Sequence, residues 1–563
     1  MRKVNGWRFL FLVALLIFWA QNLYFFSRTN FLSIDYSGIV EAALSDKLGT
    51  PPLAVLWSVI DMPYYPPLWW ATMWMLSRVF GLAILPYVVF VWLLWTVAAF
   101  VCAKLVGLVA GSRDRGWFAA ALLLLSPASV TMSKDIFIEQ AFVPLVPLTI
   151  YALFRSRGFI DRRWSLLTGL FAGLGFLVKW SFAAYVAPAF AIECMALLRR
   201  GDETVRQKQL ANFLVLVIAA AAVCVWWYAM FFNLPLFLET AKNDPVMDAG
   251  TFTLRLLVNL SFFVNSFFGI GLLLLLLCIV ALFMRPPNRL YTVLVLNAVL
   301  TLFVFSIPVH VEDRYVLPLV PLIAAAFECA LLRVGGRLSR GEFAAVQAGL
   351  LITVASFSVL IYMPRAEASE GEIVVHRFSN AGALHWYRHY AHDILARVDE
   401  VAGLVDERIV VGVHPVFSGV ALPEVALKRE WLLGYYNSFE MFLPLRGAYG
   451  YAGFSRKLHK KFFRVVLVNE KWANRYRGVE QVLRLHDPLL RYVSRAYVDQ
   501  SGLGRVPPLS LVKLNQDLDF LQTYYILYKR LLLPTGDVVQ VWVERGFARR
   551  LGLSPSDAVD IVR

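Results

Sequence analysis

The chain has 563 residues, 59% of them hydrophobic and 17% charged, with 54 Lys and Arg against 39 Asp and Glu for a formal net charge of +15. Several apolar runs reach about 20 residues, the length that crosses a bilayer core, which excludes a soluble globular protein and identifies a polytopic membrane protein. The five cysteines (Cys102, Cys194, Cys224, Cys278, Cys329) lie inside apolar runs without CxxC or His-rich spacing, which argues against a disulfide framework or thiolate metal site. The basic excess sits largely in short loops, where orientation and lipid headgroups account for it better than nucleic acid does.

The first apolar run, residues 7–26, has no small-residue cleavage pattern at its exit side and reads as a retained anchor. A long first loop, 27–82, follows, containing "FLSIDYSGIVEAALSDKLGT" from Phe31 and "DMPYYPPLWW" from Asp61. Within it, "YYPPLWWATMWMLSRVFG" is expected to form an interfacial or re-entrant helix, because a full span there would invert every later loop. Trp69, Trp70 and Trp74 suit a headgroup boundary, and the Pro pair is tolerated in a first helical turn. Further spans are predicted near 83–108, 117–131, 137–154, 165–179, 181–198, 210–231, 263–284, 290–308, 315–332 and 343–362, about eleven with the first.

One set of alternate loops carries Arg113 and Arg115, then Arg155, Arg157, Arg162 and Arg163, then Arg199, Arg200, Arg206 and Lys208, and later Arg333, Arg337 and Arg340. This positive-inside bias predicts that side to be cytoplasmic. The long first loop, the hinge "SKDIFIEQ", the segment "PVHVEDRYVLPL" and everything beyond about residue 364 then fall on the outer side. From there to the end no run is long enough to span. Strand-like stretches ("RIVVGVHPVF", "FFRVVLVNE", "DVVQVWVERG") alternate with a helical pattern in "ALHWYRHYAHDILARVDEVAGLV". The expected organisation is a helical membrane domain over 1–363 and a soluble α/β domain of about two hundred residues over 364–563.

Several charged residues at predicted outer ends are candidates for chemistry. Asp35 could act as a general base toward a hydroxyl at the bilayer boundary; alone it reads more readily as a solvated loop aspartate or a helix cap, and Glu41, Asp46 and Asp61 compete with it. Asp135 and Glu139 share one face if helical, and could hold a divalent cation or sugar hydroxyls, or simply pair with Lys134. Lys179 closes a Gly-rich run containing Gly169, Gly173 and Gly175, which permit close helix approach. Its ammonium is either a point charge for a phosphate or a group snorkelling to the headgroups. His310, Glu312, Asp313, Arg314 and Tyr315 cluster at another span end, where Arg314 could clamp a phosphate or join a local ion network. No GxxxxGK[ST], GxSxG or HExxH motif is present.

In this order the elements resemble the GT-C superfamily of membrane glycosyltransferases, in the branch of the bacterial protein mannosyltransferases and aminoarabinose transferases. The resemblance is carried by Asp35 after the first span, "YYPPLWWATMWMLSRVFG" for the family's His-Pro-Pro-Leu helix, "SKDIFIEQ", "GLFAGLGFLVKW" closing on Lys179, and "DRYVLPLVPL". It implies an inverting transfer of a hexosyl or pentosyl group from a polyprenyl-phosphate donor to a glycan, lipid or protein acceptor at the outer face of the inner membrane. Asp35 would then be the base, Glu139 would position acceptor or metal, and Lys179 and Arg314 would stabilise the departing phosphate. Tyr315, Asp61, Tyr65 and His310 would line the substrate site, and a divalent cation would involve Asp35 and Glu139. Tyr36 and Tyr65 stand where relatives commonly carry a second acid and a histidine, which puts a carried-over metal in doubt and keeps an inactive scaffold open. A secondary transporter or lipid flippase is the rival from another class. Its usual internal repeats and mid-membrane polar groups are not apparent here.

Overall fold

The computed structural model describes residues 6–26, 56–57, 60, 65–80, 84–112, 115–133, 136–199, 202–235, 252–267, 270–284, 288–307, 313–360, 409–413, 431–435, 464–469, 519–532, 538–555 and 559–561. The chain divides into two compact units, one of Met1–Tyr24, Pro51–Asp244 and Arg255–Ile361, the other of Phe25–Thr50, Pro245–Leu254 and Tyr362–Arg563.

The first unit is helical, as uninterrupted apolar sequence requires when backbone groups must be satisfied within each segment. Its helices are α1 (Gly6–Phe26), α2 (Leu68–Phe80), α3 (Ile84–Val109), α4 (Trp117–Leu124), α5 (Pro127–Met132), α6 (Phe142–Arg155), α7 (Arg162–Val178) and α8 (Phe182–Leu198). They continue with α9 (Glu203–Met230), most of α10 (Phe252–Asn265), α11 (Gly271–Leu282), α12 (Arg289–Phe305), α13 (Val320–Val334) and α14 (Arg340–Leu360). Among the described residues four helical stretches are long and apolar enough to cross a membrane: Gly6–Leu23, Leu85–Val109, Glu203–Met230 and Leu317–Val334. The protein is a multi-pass membrane protein. The stretch ending in α13 is 83% buried and forms the centre of the unit, whereas those of α1 and α9 are 22% buried and leave apolar faces for lipid.

Side chains set the helix starts. Asp161 accepts from the Trp164 N–H, Asp202 from those of Thr204 and Val205, and Asn288 from that of Tyr291, each filling an orphan donor of a first turn. Ser339 and Glu342 form a reciprocal capping box at the start of α14, at 2.8 and 3.3 Å. The expected span 117–131 is broken. Ser126 is extended (φ −68°, ψ 145°), its Oγ accepts from the Ser129 N–H, and Pro127 opens α5. The expected span 263–284 is likewise replaced by α10 and α11, with Ser266 and Phe267 in a turn between them.

Packing explains the glycines. A Cβ at Gly169 would lie 2.2 Å from the Leu216 carbonyl oxygen and one at Gly173 2.8 Å from that of Ala220, so α7 and α9 meet backbone to backbone. Across the unit, the buried Glu328 on α13 accepts from the N–H groups of Gly116 (2.9 Å) and Ala119 (2.7 Å), capping α4 from a distant helix. Helix α2 is 13 residues, about 20 Å long at 1.5 Å per residue, short of a bilayer core. Trp69 and Trp70, expected at a headgroup boundary, are 2% and 9% exposed, with Trp69 tilted against Phe90 of α3. Leu68, at the start of the helix, packs against the cluster of Leu177 from α7 with Cys224 and Trp227 from α9, and Trp69 and Trp70 beside it are buried.

The second unit contains a six-stranded mixed sheet of β1 (Ile409–Val413), β2 (Trp431–Tyr435), β3 (Val465–Asn469), β4 (Tyr525–Leu532), β5 (Val538–Glu544) and β6 (Val559–Ile561), in the order β2-β1-β3-β5-β4-β6. β1 runs parallel to β2 and β3, β5 antiparallel to β3 and β4, and β6 parallel to β4. Val411 sits opposite Val465, and Val466 opposite Trp542. A short helix α15 (Arg545–Arg550) follows β5, capped by Glu544, and buries Phe547 and Ala548. β1, β3 and β5 fall in the three strand-like stretches named above; β2, β4 and β6 were not anticipated. β4 reads "YILYKRLL", whose paired charges interrupt alternation. The helical pattern at 383–405 lies outside the described residues.

Candidate active site

Three sequence-distant segments of the helical unit converge on one buried carboxylate. Glu139 lies in a one-turn 3₁₀ helix, Ile138–Ala141, wedged between α5 and α6 with no solvent exposure. The turn is anchored from α3: the Trp95 indole N–H donates to Gln140 Oε1 at 2.9 Å, and that of Trp92 to the Ser133 carbonyl at 3.1 Å. The Gln140 amide donates to the Met132 carbonyl at 2.5 Å, and Ser133 Oγ donates to Asn22 Oδ1 of α1 at 2.8 Å. Indole donors on the neighbouring helix thus hold the Gln140 side chain next to Glu139 and the backbone of Ser133 ahead of the turn.

Lys179 is the C-cap of α7. Its backbone is extended (φ −165°, ψ 140°), which ends the helix and lets α8 restart at Phe182. Gly175 makes this corner possible, since a Cβ there would meet the Phe182 ring at 2.5 Å. Lys179 is 3% exposed, and its ammonium donates to Glu139 Oε1 at 2.6 Å. It also lies 5.7 Å from the ring centroid of Tyr65 and 5.3 Å from that of Tyr315, within cation–π range of both.

Arg314 and Tyr315 come from the 3₁₀ turn Asp313–Tyr315 that leads into α13. Arg314, 8% exposed, places Nε 3.9 Å from Glu139 Oε2 and its guanidinium 5.4 Å from the Phe137 ring and 5.7 Å from that of Tyr315. Tyr315 stacks on Phe305 of α12 at 5.6 Å and 13°, and its carbonyl accepts from the Tyr185 hydroxyl of α8 at 2.9 Å. Lys179 and Arg314 are therefore held side by side by a shared carboxylate and aromatic faces. Buried charges of one sign need such a counter-ion.

Of the residues singled out in the sequence, Tyr65, Glu139, Lys179, Arg314 and Tyr315 come together. Asp35, Asp61, His310 and Asp135 lie outside the described residues. Sequence reading missed Trp95, Phe137, Gln140 and Tyr185, which look like ordinary apolar-run aromatics and a lone amide. The candidate metal role of Glu139 does not fit its surroundings: one oxygen is engaged by Lys179 and the other faces Arg314, so a divalent cation would meet two like charges. Among the described residues no group of three or more His, Cys, Asp or Glu gathers to hold a metal ion. Chemically, the cluster sets one ammonium and one guanidinium against a single carboxylate, which leaves a net positive charge at a buried position.

The sequence profile of the dolichyl-phosphate-mannose-protein mannosyltransferase family matches residues 64–228, which contain Tyr65, Glu139 and Lys179. No curated protein sequence matches the chain. In structure, the chain is similar to ArnT from Cupriavidus metallidurans in the apo state, with a TM-score of 0.60, 13% identity, and coverage of 98% of this chain and 99% of that one. It is also similar to the same ArnT bound to undecaprenyl phosphate, with a TM-score of 0.52, 14% identity, and coverage of 98% and 100%. The family profile covers residues 64–228, less than half of the chain, and the likeness to ArnT along nearly its whole length shows that this protein has the fold of that membrane enzyme.

Proposed function

We propose that the protein transfers a sugar from a polyprenyl-phosphate donor to an acceptor hydroxyl at the outer face of the inner membrane, with the sheet-containing unit on the same side. The observation that carries this reading is the convergence of Lys179 and Arg314, both buried and both within 4 Å of Glu139. An ammonium and a guanidinium held in place by protein are suited to a phosphate that gains charge in the transition state, because they need little reorganisation. The matching mannosyltransferase family is named for a polyprenyl-phosphate sugar, and a structurally similar ArnT holds undecaprenyl phosphate, which supports the same donor class here. Tyr65 and Tyr315 would pack against the headgroup.

In the transfer, the acceptor oxygen attacks the anomeric carbon and its proton passes to a carboxylate, the role we assign to Asp35. The bond between that carbon and the phosphate oxygen breaks, and the electron pair stays on the phosphate, beside Lys179 and Arg314. The configuration inverts. The acceptor is a hydroxyl of a glycan, lipid or protein.

Purified protein offered a panel of labelled polyprenyl-phosphate sugars should consume one of them. Asp35→Asn should abolish transfer while donor binding persists, and inorganic phosphate should compete weakly if the lipid contributes to binding. Failure to consume any member would reject the activity, and near-normal turnover by Asp35→Asn would reject the base.

A further inference from the structure

The carboxylate of Glu139 sits against the two cations that the reading above assigns to the lipid phosphate, and on that reading it acts on the ligand as a like charge. We propose that Glu139 is a specificity-determining residue that favours the sugar-phosphate donor over the polyprenyl-phosphate product, by opposing the extra negative charge that transfer creates.

The charges change as follows. The donor is a phosphodiester with one negative charge. When the sugar leaves, the electron pair of the broken bond remains on the phosphate, the acceptor proton goes to the base, and the product is a monoester. Near neutral pH a monoester carries about −1.5 to −2. Two cations alone would grip this product more tightly than the donor, and the enzyme would be inhibited by what it makes.

Glu139 counters that preference because Coulomb repulsion scales with ligand charge, so the product is penalised about twice as much as the donor. The geometry suits the role. The carboxylate has no solvent exposure, so water screens it little; Oε1 is 2.6 Å from Lys179 Nζ and Oε2 is 3.9 Å from Arg314 Nε. Trp95 fixes the neighbouring Gln140, so the turn cannot easily swing away. Lys179 has three N–H donors and can keep one on Glu139 while giving others to a phosphate.

The test compares two lipids on the full-length protein at pH 8: polyprenyl phosphate, a dianion, and its methyl ester, a monoanion. Wild type should bind them with affinities within about threefold of one another. Glu139→Gln should tighten the dianion by about tenfold or more and the monoanion by less, lower kcat, and increase inhibition by added polyprenyl phosphate. Glu139→Asp, which keeps the charge, should retain the wild-type ratio. An unchanged ratio in a folded Glu139→Gln protein would overturn the proposal. If that variant does not fold, the wild type decides, since a dianion preference well above tenfold overturns it as well. Binding of neither lipid to wild type would instead overturn the headgroup reading on which the proposal stands.

Discussion

Lys179 and Glu139 exemplify what a buried ion pair demands. Each is nearly or fully removed from solvent, and each is tolerable there because the other stands 2.6 Å away. Lys179→Met should therefore lower stability by roughly 3–5 kcal/mol, because the Glu139 charge loses its hydrogen-bonded cation. Combining Lys179→Met with Glu139→Gln should recover part of that loss, the remainder reflecting the buried Arg314, which loses the same carboxylate. Thermal midpoints of the two single variants and the double variant, at fixed detergent, check both expectations; additive losses would show that the two side chains do not act as a pair. Both residues stood out in the sequence, as charges interrupting apolar runs, but their partnership did not. They are 40 positions apart, and Lys134, much nearer to Glu139, offered an equally good pair on sequence grounds. The aromatic faces of Tyr65 and Tyr315 became part of the site only when the fold brought three chain segments together.

The elements were largely visible as hydropathy. Helices α1, α3, α7, α8, α12 and α14 begin and end within a few residues of the apolar runs, because charged loops and caps such as Asp161 and Asn288 mark their ends. The break at Ser126 was missed although Ser-Pro spells it out, since the apolar run continues through it and hydropathy does not register direction. Glycine is a similar case: its presence was evident, its function depends on neighbours. Gly169→Val should lower the thermal midpoint through overpacking worth about 1–3 kcal/mol, because an added Cβ would meet the Leu216 carbonyl oxygen of α9 at 2.2 Å and Ala219 Cβ at 2.9 Å. Gly349→Ala in α14, where an added Cβ meets nothing within 4 Å, should hold or raise it by up to about 1 kcal/mol. Equal destabilisation at the two positions would contradict the backbone-to-backbone contact of α7 and α9. In the other unit, β1, β3 and β5 were legible as Val-rich runs; β6 has only three residues, too few to show a period.

At the scale of the molecule, composition alone specified a multi-pass protein, and the distribution of burial adds how the helical unit meets its solvent. α1 and α9 present apolar faces outward, while the α4–α5 segment is enclosed, with every residue from Phe118 to Val130 buried. A helix of eight residues is about 12 Å long, too short to cross a bilayer core by itself. Its opening turn is completed by Glu328, which lies 212 positions after Gly116 and 209 after Ala119. Biosynthesis therefore produces the turn long before the acceptor that satisfies its amides. Ribosome-bound chains halted before Glu328 should leave a cysteine introduced by Ala119→Cys, on a cysteine-free background, open to a water-soluble thiol reagent; chains extended past Val334 should protect it. Early protection would mean that another group satisfies the turn first. On this expectation maturation is not a sequence of finished spans released one at a time: an early-made part of the interior waits on a late codon.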